Sequence, residues 1–543
     1  MNPLKALALI ALTAFAFLLG PIRQADQSKP NVNRSWVPDR GDGTYRNPII
    51  YADYSDPDVI RVADDFYMIA SSFNCVPGLP ILHSRDLVNW KIVAHVFQQQ
   101  VPQDVFSKPQ HGNGVWAPAI RHHQGTFYVF YPDPDFGIYL VKARNPAGPW
   151  SDPLLIKSAR GWIDPCPFWD KDGNAYLVHA WANSRAGIKS ILTINRLSPD
   201  GSRVLDEGKT VFDGRSRHPT IEGPKLYKRN GYYYIFAPAG GVPTGWQTVL
   251  RSRNIYGPYE DKIVMDQGRT GINGPHQGGW VELKSGESWF IHFQDQGAFG
   301  RVIHLQPLKW VDDWPVIGSD ADGDGKGEPV LAYKKPDVGK NYPTVIPQST
   351  DEFNGKRLGL QWQWHANYDV QWMSLTARPG WLRLRSVEPD NAANLWSVPN
   401  LLLQKLPAPE FTVTTRIDFS KLALGEKAGL LMMGTDYSYL AVERTSSGLR
   451  LSKVVCMNAD KGTSELVEGE EVVTGSSLIL RVAMSGEAAC EFAYSSDGRE
   501  FRSIGQRFTA RPGKWIGAKV GLFCLGKRGQ QPRFADFGWF RFE

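Results

Sequence analysis

The stretch EGPKLYKRNGYYYIF, residues 222–236, has a proline-bearing start, a short gap, and a polar turn that leads into aromatic β-strand residues. The chain repeats this pattern five times, roughly every 50 to 60 residues, which is close to the period of propeller blades or similar arrays. One propeller blade is a small antiparallel sheet whose edges are protected by radial repetition. The five starts are Asp56-Pro57, Trp116-Ala117-Pro118, Asp164-Pro165, Glu222-Gly223-Pro224 and Gly274-Pro275-His276.

Aromatic and aliphatic runs follow the polar turns in four of these repeats, at residues 66–69, 127–131, 175–178 and 232–236. Short apolar runs bounded by turn residues are typical of buried strands. The repeats occupy about residues 46–315. The sequence therefore predicts one repetitive all-β domain over this range.

Composition supports an all-β protein of more than one domain. A chain of 543 residues is too long for one ordinary core. Aromatic residues make up 12% of it, and its 53 glycines and 38 prolines favour many short strands joined by turns. The net charge of +6 is spread along the chain without a basic run, so binding of nucleic acid has no support.

The first 20 residues are typical of an export signal. Lys5 precedes an apolar run over residues 6–19, which is short for a membrane-spanning helix and right for a signal core. No clean small-x-small triplet lies near Gly20-Pro21, so an uncleaved N-terminal anchor stays open as the alternative. Residues 21–45 are polar and indicate a linker. The prediction is an exported protein, periplasmic or extracellular, with no membrane contact beyond such an anchor.

The pattern changes after the repeats. Residues 316–350 are rich in Asp, Gly, Lys and Pro and predict a connecting segment. From Asp351 onward, alternating apolar and polar residues recur at 381–385, 411–415, 478–482 and 537–542. Such runs over residues 351–543 predict a β-sandwich.

Three of the repeat starts carry a carboxylate: Asp56, Asp164 and Glu222. Since the innermost strand of each blade lines the central channel, these acids are expected together at one mouth of it. Paired carboxyl groups in a pocket suit hydrolysis of a glycosidic bond, and a third acid shifts the pKa of its neighbours. Any one of these motifs alone is an ordinary turn sequence. Their recurrence is what points to a catalytic site.

Seven stretches in this order resemble glycoside hydrolase family 43, five-bladed propeller enzymes that act mainly on xylose- and arabinose-containing glycans. The stretches are residues 46–50, 56–60, 83–90, 116–118, 162–165, 221–224 and 300–301. Residues 351–353, 360–364 and 535–537 look like the concanavalin-like β-sandwich that follows the propeller in many β-xylosidases of this family. The resemblance implies an all-β fold, a five-bladed β-propeller followed by a β-sandwich.

The resemblance also implies roles for particular residues. Asp56 matches the general base that activates water, Glu222 the general acid, and Asp164 the acid that tunes the pKa of Glu222 and positions it. Arg301 matches an arginine near the floor of the substrate site. The family inverts the anomeric configuration, which requires a gap between base and acid that admits water.

Phe73, Trp116 and His276 are further candidates for substrate binding. Phe73 and Trp116 are expected to stack on a sugar ring, with packing in the propeller core as the alternative. His276 opens the fifth repeat and so points into the channel. Family members often place a histidine there beside a water-bound cation, commonly calcium, whereas a lone histidine is usually a satisfied polar core residue.

The proposed chemistry requires no cofactor, and a structural calcium ion is the remaining metal hypothesis. Residues 320–325 resemble the opening of a calcium loop, but its twelfth position is Leu331, so a solvated turn is favoured. Glu352 and Asp536 form a second calcium hypothesis if the terminal strands of the sandwich pair. The five cysteines show no metal-type spacing, and the choice between a disulfide (Cys456–Cys490 or Cys490–Cys524) and buried thiols stays open.

The leading functional prediction is an exported exo-glycosidase, a β-xylosidase or an α-L-arabinofuranosidase, that acts on the ends or side chains of oligo- and polysaccharides. The loops around Phe73, Trp116 and Phe136 are expected to choose between these sugars. A noncatalytic glycan-binding propeller is the alternative, and the presence of all three acids argues against it. A fructan-active propeller enzyme is expected to carry a Trp-Met-Asn-Asp-Pro-like opening, which this chain lacks.

Overall fold

The computed structural model describes residues 36–388, 392–526 and 533–543. The predicted signal at residues 1–20 and most of the predicted linker lie outside these ranges. Among the residues that the model describes, no helix has the length and apolarity needed to cross a bilayer. The few helices are short: α-helices Gln103–Phe106 and Asn183–Ala186, and 3-10 helices Gly297–Phe299, Val370–Trp372, Leu395–Ser397, Ala459–Lys461 and Gly486–Ala488.

Five four-stranded antiparallel sheets follow one another along the chain, each with its strands in sequence order. Blade 1 contains Asp58–Val62, Asp65–Ile69, Gly78–Ser84 and Trp90–Phe97, and blade 2 contains Ala119–His123, Thr126–Asp133, Gly137–Ala143 and Leu154–Ser158. Blade 3 contains Trp162–Trp169, Ala175–Trp181, Ile191–Leu197 and Lys209–Asp213, and blade 4 contains Lys225–Arg229, Tyr232–Ala239, Trp246–Ser252 and Glu260–Met265. Blade 5 contains His276–Glu282, Ser288–Asp295, Arg301–Val311 and Trp314–Ile317.

The first strand of each blade lies at the axis of a closed ring. First strands contact each other between blades 1 and 2, 2 and 3, 3 and 4, and 5 and 1. The chain that enters blade 1 runs along blade 5, where Ile49 N donates to the carbonyl oxygen of Ile303 at 2.7 Å. Nearby, the strand Thr44–Arg46 pairs with Ala332–Lys334 from the segment after blade 5. The prediction of an all-β chain that begins with a five-bladed propeller is confirmed.

A buried ion pair ties the inner strands together below the channel mouth. Asp58 is fully buried, and its Oδ2 accepts from Ile120 N at 2.8 Å and from Arg121 Nη1 at 2.5 Å. The same guanidinium lies 2.9 Å from Cys166 Sγ and 5.5 Å from the ring centre of Tyr227. One arginine therefore joins blades 1, 2, 3 and 4.

The second domain is the predicted β-sandwich, built from two antiparallel sheets. One sheet has the order Gln363–Trp364, Leu402–Lys405, Lys519–Leu525, Lys427–Met433, Tyr437–Thr445, Gly448–Cys456 and Leu466–Val473. The other has the order Met373–Ser374, Leu382–Arg385, Phe534–Phe542, Phe411–Asp418, Ser477–Ser485, Ala489–Ser495 and Arg502–Ser503, and Phe508–Thr509 also pairs with Ala489–Ser495. All five cysteines of the chain are buried thiols without a disulfide partner.

The sandwich is attached to the propeller by backbone pairing as well as by side chains. Val76 and Trp364 exchange two backbone hydrogen bonds, of 3.1 and 2.5 Å. The Asn367 side chain and the Gln100 backbone likewise exchange two bonds, of 2.8 and 3.0 Å. Ala518 N donates to the carbonyl oxygen of Ala298 at 2.7 Å, close to the channel mouth. One sandwich loop, residues 512–516, therefore lies against residues 111–113 and residues 295–301 of the propeller.

We expect Arg121→Met to lower the free energy of unfolding of the propeller by about 3–5 kcal/mol, because it leaves the Asp58 carboxylate buried without its charge partner. Urea unfolding followed by tryptophan fluorescence measures the change. Arg215→Met is the matched control, since Arg215 and its partner Asp213 are exposed, and it should leave unfolding unaltered. Equal stability of the two variants would contradict the role of the buried pair.

Candidate active site

The backbone at two of the three acids has an unusual conformation. Asp56 and Asp164 have φ values of 55° and 57°, in the left-handed region that non-glycine residues rarely adopt. In the fourth repeat the residue directly before proline is Gly223, with a φ of 60°. Glu222 therefore stands one residue earlier than the position that Asp56 and Asp164 occupy in their blades. The three acids therefore occupy related but not identical backbone positions in their repeats.

Asp56 lies at the bottom of the site, 5% exposed, and both its carboxylate oxygens have partners. Ser71 Oγ donates to Oδ2 at 2.6 Å, and Arg301 Nη1 donates to Oδ1 at 2.8 Å. Arg301 is itself 6% exposed, and its Nε has no hydrogen-bond partner. The arginine thus fixes the orientation of Asp56, and its Nε–H is not used by another protein group.

Asp164 and Glu222 are coupled through the backbone and through their charges. The amide N–H of Gly223 donates to Asp164 Oδ2 at 2.7 Å, which places the side chain of Asp164 against the residue after Glu222. Burial raises the pKa of Asp164, while the bond from Gly223 and the charge of Lys225 lower it. Burial also raises the pKa of Glu222, and the carboxylates of Asp164 and Asp56 raise it further.

The order of ionisation follows from these surroundings. Asp164 has a hydrogen-bond donor that favours its charged form, whereas Glu222 faces two other acids. Asp164 therefore loses its proton first, and its negative charge helps to keep the proton on Glu222. The Glu222 side chain is 34% exposed, and it opens into the pocket where a ligand can meet it.

Gln277 lines the site from blade 5, and the neighbouring His276 lies just beneath it. Both ring nitrogens of His276 and the Nε2 atom of Gln277 are buried without a hydrogen-bond partner. His276 Nε2 lies 3.5 Å from Glu222 Oε1. Burial and the nearby Arg301 charge lower the pKa of His276 to about 3, so the ring is neutral. Unpaired donors and acceptors of this kind suit water or sugar hydroxyl groups.

These residues surround one pocket of about 570 Å³ at the channel mouth. Every sequence-predicted site residue except His276 lines it: Asp56, Phe73, Trp116, Asp164, Glu222 and Arg301. His276 lies just beneath, against Glu222. Phe73 is nearly buried, with a φ of 49°, and its backbone pairs with Val115.

Trp116 is positioned by its own loop and by an arginine. Its indole Nε1 donates to the carbonyl oxygen of Gly112 at 3.0 Å. The guanidinium of Arg185 lies 5.5 Å from the ring centre, and Arg185 is in turn held by Asp135 at 3.1 and 3.2 Å. The ring is therefore fixed at the pocket wall rather than packed away in the core.

Trp515 is the main pocket residue that sequence reasoning missed. It comes from the sandwich loop, is 56% exposed, has a φ of 65°, and lies 5.7 Å from the Arg301 guanidinium. Lys189, Trp181 and Gln277 also line the pocket and were not predicted. Trp515 carries no signal in the repeat, because it belongs to the other domain; its setting between Gly513 and Gly517 is the only local indication of an exposed loop.

The two candidate calcium sites have different surroundings in the structure. The carboxylates of Asp320, Asp322 and Asp324 converge within 4.8 Å of one another, all exposed. Asp320 nevertheless accepts from two backbone amides of its own turn. Glu352 and Asp536 do not form a joint site: Glu352 pairs with Arg541 at 2.6 and 2.7 Å, and arginines 378 and 383 surround Asp536. The terminal strands do meet, but arginines neutralise both acids.

A protonated acid and an ionised acid in one pocket can perform paired proton transfer on a bound glycoside. The fold and the site together define a glycoside hydrolase, a class of enzyme that cleaves O-glycosyl bonds. Residues 45–315 match the model of glycosyl hydrolases family 43, and residues 350–543 match that of the β-xylosidase C-terminal concanavalin A-like domain. The chain belongs to glycoside hydrolase family 43.

Known proteins resemble the chain over both domains. A β-xylosidase of Formosa agariphila is 34% identical and spans 100% of this chain and 98% of its own. A non-reducing end α-L-arabinofuranosidase of Bacteroides ovatus is 29% identical and spans 92% of this chain and 94% of its own. The crystal structure of a xylan β-1,4-xylosidase from Bacillus halodurans superposes with a TM-score of 0.82 at 27% identity, over 92% of this chain and 99% of the other.

We expect Trp515→Ala to lower kcat/KM by about 2- to 10-fold, because one aromatic contact contributes about 0.5–1.5 kcal/mol beyond its buried area. Steady-state kinetics on a substrate with a sugar aglycone measures the change. Trp539→Ala, a half-buried tryptophan of the sandwich that stacks on Arg541, is the control. An equal loss in both variants would mean that Trp515 acts only through stability.

Proposed function

We propose that this enzyme is an exported, inverting exo-glycosidase that removes terminal xylose or arabinose residues from plant-type glycans. The observation that carries the proposal is the convergence of Asp56, Asp164 and Glu222 on one pocket, with Glu222 facing two other acids. The recorded activities of the relatives, β-xylosidase and α-L-arabinofuranosidase, support a pentose substrate.

In the proposed mechanism Glu222 donates its proton to the glycosidic oxygen as the bond to the anomeric carbon breaks. The Asp56 carboxylate takes a proton from a water molecule, whose oxygen forms the new bond to that carbon from the opposite face of the ring. The leaving sugar departs with a hydroxyl group, and the configuration inverts. Proton exchange with solvent returns both acids to their starting states. NMR of the first anomer formed tests the inversion.

The remaining pocket residues have positioning tasks. Arg301 holds Asp56 through one nitrogen, and its unpaired Nε is available for a sugar hydroxyl. The neutral His276 ring offers one donor and one acceptor beneath Glu222. Trp116 and Trp515 both supply flat apolar surfaces to the pocket. Because the Trp515 loop borders the pocket, we propose that the site accepts a chain end rather than the middle of a glycan.

The hydrolysis needs only carboxyl groups and water, so we propose no cofactor for the chemistry. A calcium ion, if held by the loop at Asp320, Asp322 and Asp324, would be structural, and a calcium-dependent rise in melting temperature is its test. Export rests on the predicted signal at residues 1–20, and fractionation of the native cells for activity tests it.

A panel of aryl glycosides tests the proposed substrate class. We expect release of the aryl group from the β-D-xyloside, from the α-L-arabinofuranoside, or from both, and none from hexosides, because a pocket edged by Trp116 and Trp515 selects by ring size and hydroxyl layout. Release from neither pentoside would overturn the pentose assignment and leave the family membership intact.

Two variants test the roles of the acids. We expect Glu222→Gln to lower kcat by about 10²–10⁴-fold on xylobiose but far less on a dinitrophenyl glycoside, whose leaving group needs no proton. Asp56→Asn should reduce both activities severely, since both substrates need an activated water. Glu282→Gln, at the exposed end of the same channel-lining region, is the control and should retain full activity. Equal losses on both substrates with Glu222→Gln would contradict its role as acid.

The pH profile of Asp164→Asn tests the coupling between the acids. Activity requires protonated Glu222 and is therefore lost as the pH rises through its pKa. Since the Asp164 carboxylate raises that pKa, removing its charge should move the alkaline limb of kcat/KM to lower pH. An unshifted alkaline limb in a folded, active Asp164→Asn enzyme would refute the coupling.

A further inference from the structure

We propose that Cys75 of the propeller and Lys519 of the sandwich become joined by a covalent S–O–N bridge when the enzyme is exposed to dioxygen. The bridge is a modification that ties the two domains together. It joins the loop that carries Phe73 to the strand that follows the Trp515 loop, so it fixes two parts of the pocket wall. It does not depend on the proposed glycosidase function.

The two residues meet at the interface between the domains. Cys75 lies in the loop between the blade 1 strands Asp65–Ile69 and Gly78–Ser84 and is 1% exposed. Lys519 opens the sandwich strand Lys519–Leu525 and is 3% exposed. The Nζ atom of Lys519 lies 3.1 Å from the Sγ atom of Cys75. A nucleophilic sulfur and a primary amine therefore face each other at hydrogen-bonding distance, shielded from solvent.

Surrounding groups hold both reacting atoms in place. On the propeller side, Cys75 N donates to the carbonyl oxygen of Ser72 at 2.9 Å. On the sandwich side, Gln363 Oε1 accepts from Lys519 Nζ at 3.1 Å, and Gln363 Nε2 donates to the carbonyl oxygen of Pro77 at 2.8 Å. Gln363 thus connects the lysine to the loop that carries the cysteine, so the amine and the thiol have little freedom to separate.

The ammonium form of Lys519 is poorly compensated in this position. Its two acceptors are a thiol sulfur, which is a weak acceptor, and an amide oxygen, and within the described ranges of the chain no carboxylate forms an ion pair with it. Burying a charge without an opposite charge is costly. Because a nitrogen bonded to oxygen is a much weaker base than an alkylamine, formation of the bridge removes this buried positive charge.

Other cysteines lack such a partner. Cys166 Sγ lies 2.9 Å from Arg121 Nη2, but a guanidinium stays charged and has no free amine lone pair for bond formation. Cys456 donates to the carbonyl oxygen of Thr463. Among the described residues, the contact between Cys75 and Lys519 is the one hydrogen bond between a thiol and a lysine amine. The modification is therefore expected at Cys75 alone.

The reaction balances with dioxygen as the sole oxidant. The ammonium first releases one proton to solvent. The S–H bond of Cys75 and one N–H bond of Lys519 then break, and one oxygen atom forms bonds to sulfur and to nitrogen. The other oxygen atom leaves as water with the two hydrogen atoms. Sulfur and nitrogen each lose two electrons, and dioxygen gains the four. A single oxygen atom can bridge the two groups after a small shift, whereas a direct S–N bond needs a much closer approach.

Mass spectrometry of the unaltered enzyme tests the bridge directly. Enzyme equilibrated with air should be heavier by about 14 Da than enzyme kept anaerobic with dithiothreitol, because one oxygen is gained and two hydrogens are lost. Denaturation, alkylation and digestion of the aerated enzyme should yield one linked pair of peptides that contain Cys75 and Lys519, and dithiothreitol should separate them. Cys75 recovered fully alkylated from aerated enzyme, with no linked peptides, would overturn the proposal.

Thermal unfolding of variants gives the second test. Aerated enzyme should unfold about 5 °C above enzyme treated with dithiothreitol, because a cross-link between residues 444 positions apart restricts the unfolded chain. Lys519→Arg keeps a positive charge but not the primary amine, and it should lose both the linked peptides and the dithiothreitol-sensitive shift. Cys456→Ser, whose hydroxyl can still donate to Thr463, should retain both. The same dithiothreitol-sensitive shift in both variants would place the effect elsewhere and refute the assignment.

Discussion

One buried carboxylate, that of Asp53, holds three parts of the molecule together. Its Oδ1 accepts from Arg301 N at 2.9 Å and its Oδ2 from Gly517 N at 3.1 Å, so it links the segment that enters blade 1, blade 5 and the residue that follows the sandwich loop. The contact is close enough that a Cβ at Gly300 would lie 2.5 Å from the Asp53 carboxyl carbon. The placement of Arg301 beside Asp56, and of Trp515 over the pocket, both depend on this bond pair.

The site works because similar acids have different surroundings. Asp56 accepts hydrogen bonds from Ser71 and Arg301, and Asp164 accepts one from the Gly223 amide. Glu222 has no comparable donor, and it faces both other acids. Like charges at close range keep a proton on the acid whose ionised form is least supported by hydrogen-bond donors. The propeller brings one side chain from each of several blades to a common axis, and the local backbone decides which of them keeps the proton.

The sequence predicted the repeat, the two domains and the convergence of the three acids, because a repeated strand pattern places equivalent positions around one axis. The sequence also shows that Glu222 stands two residues before its proline and the two aspartates only one, whereas the left-handed φ of Gly223 comes from the structure. Sequence reasoning missed Trp515, which lies about 200 residues beyond the last repeat and reaches the pocket only through domain docking. A joint calcium site at Glu352 and Asp536 was one hypothesis, and in the structure each acid is paired with arginine instead.

The sequence by itself determined the blades, the sandwich and the acids that approach the channel, because strand periodicity and turn residues are local properties of the chain. Only the tertiary structure decided the protonation order of those acids and the wall formed by Trp515. The physical reason is that desolvation, charge–charge distances and cavity shape arise from groups distant in sequence. None of them exists until the propeller closes and the sandwich docks against it.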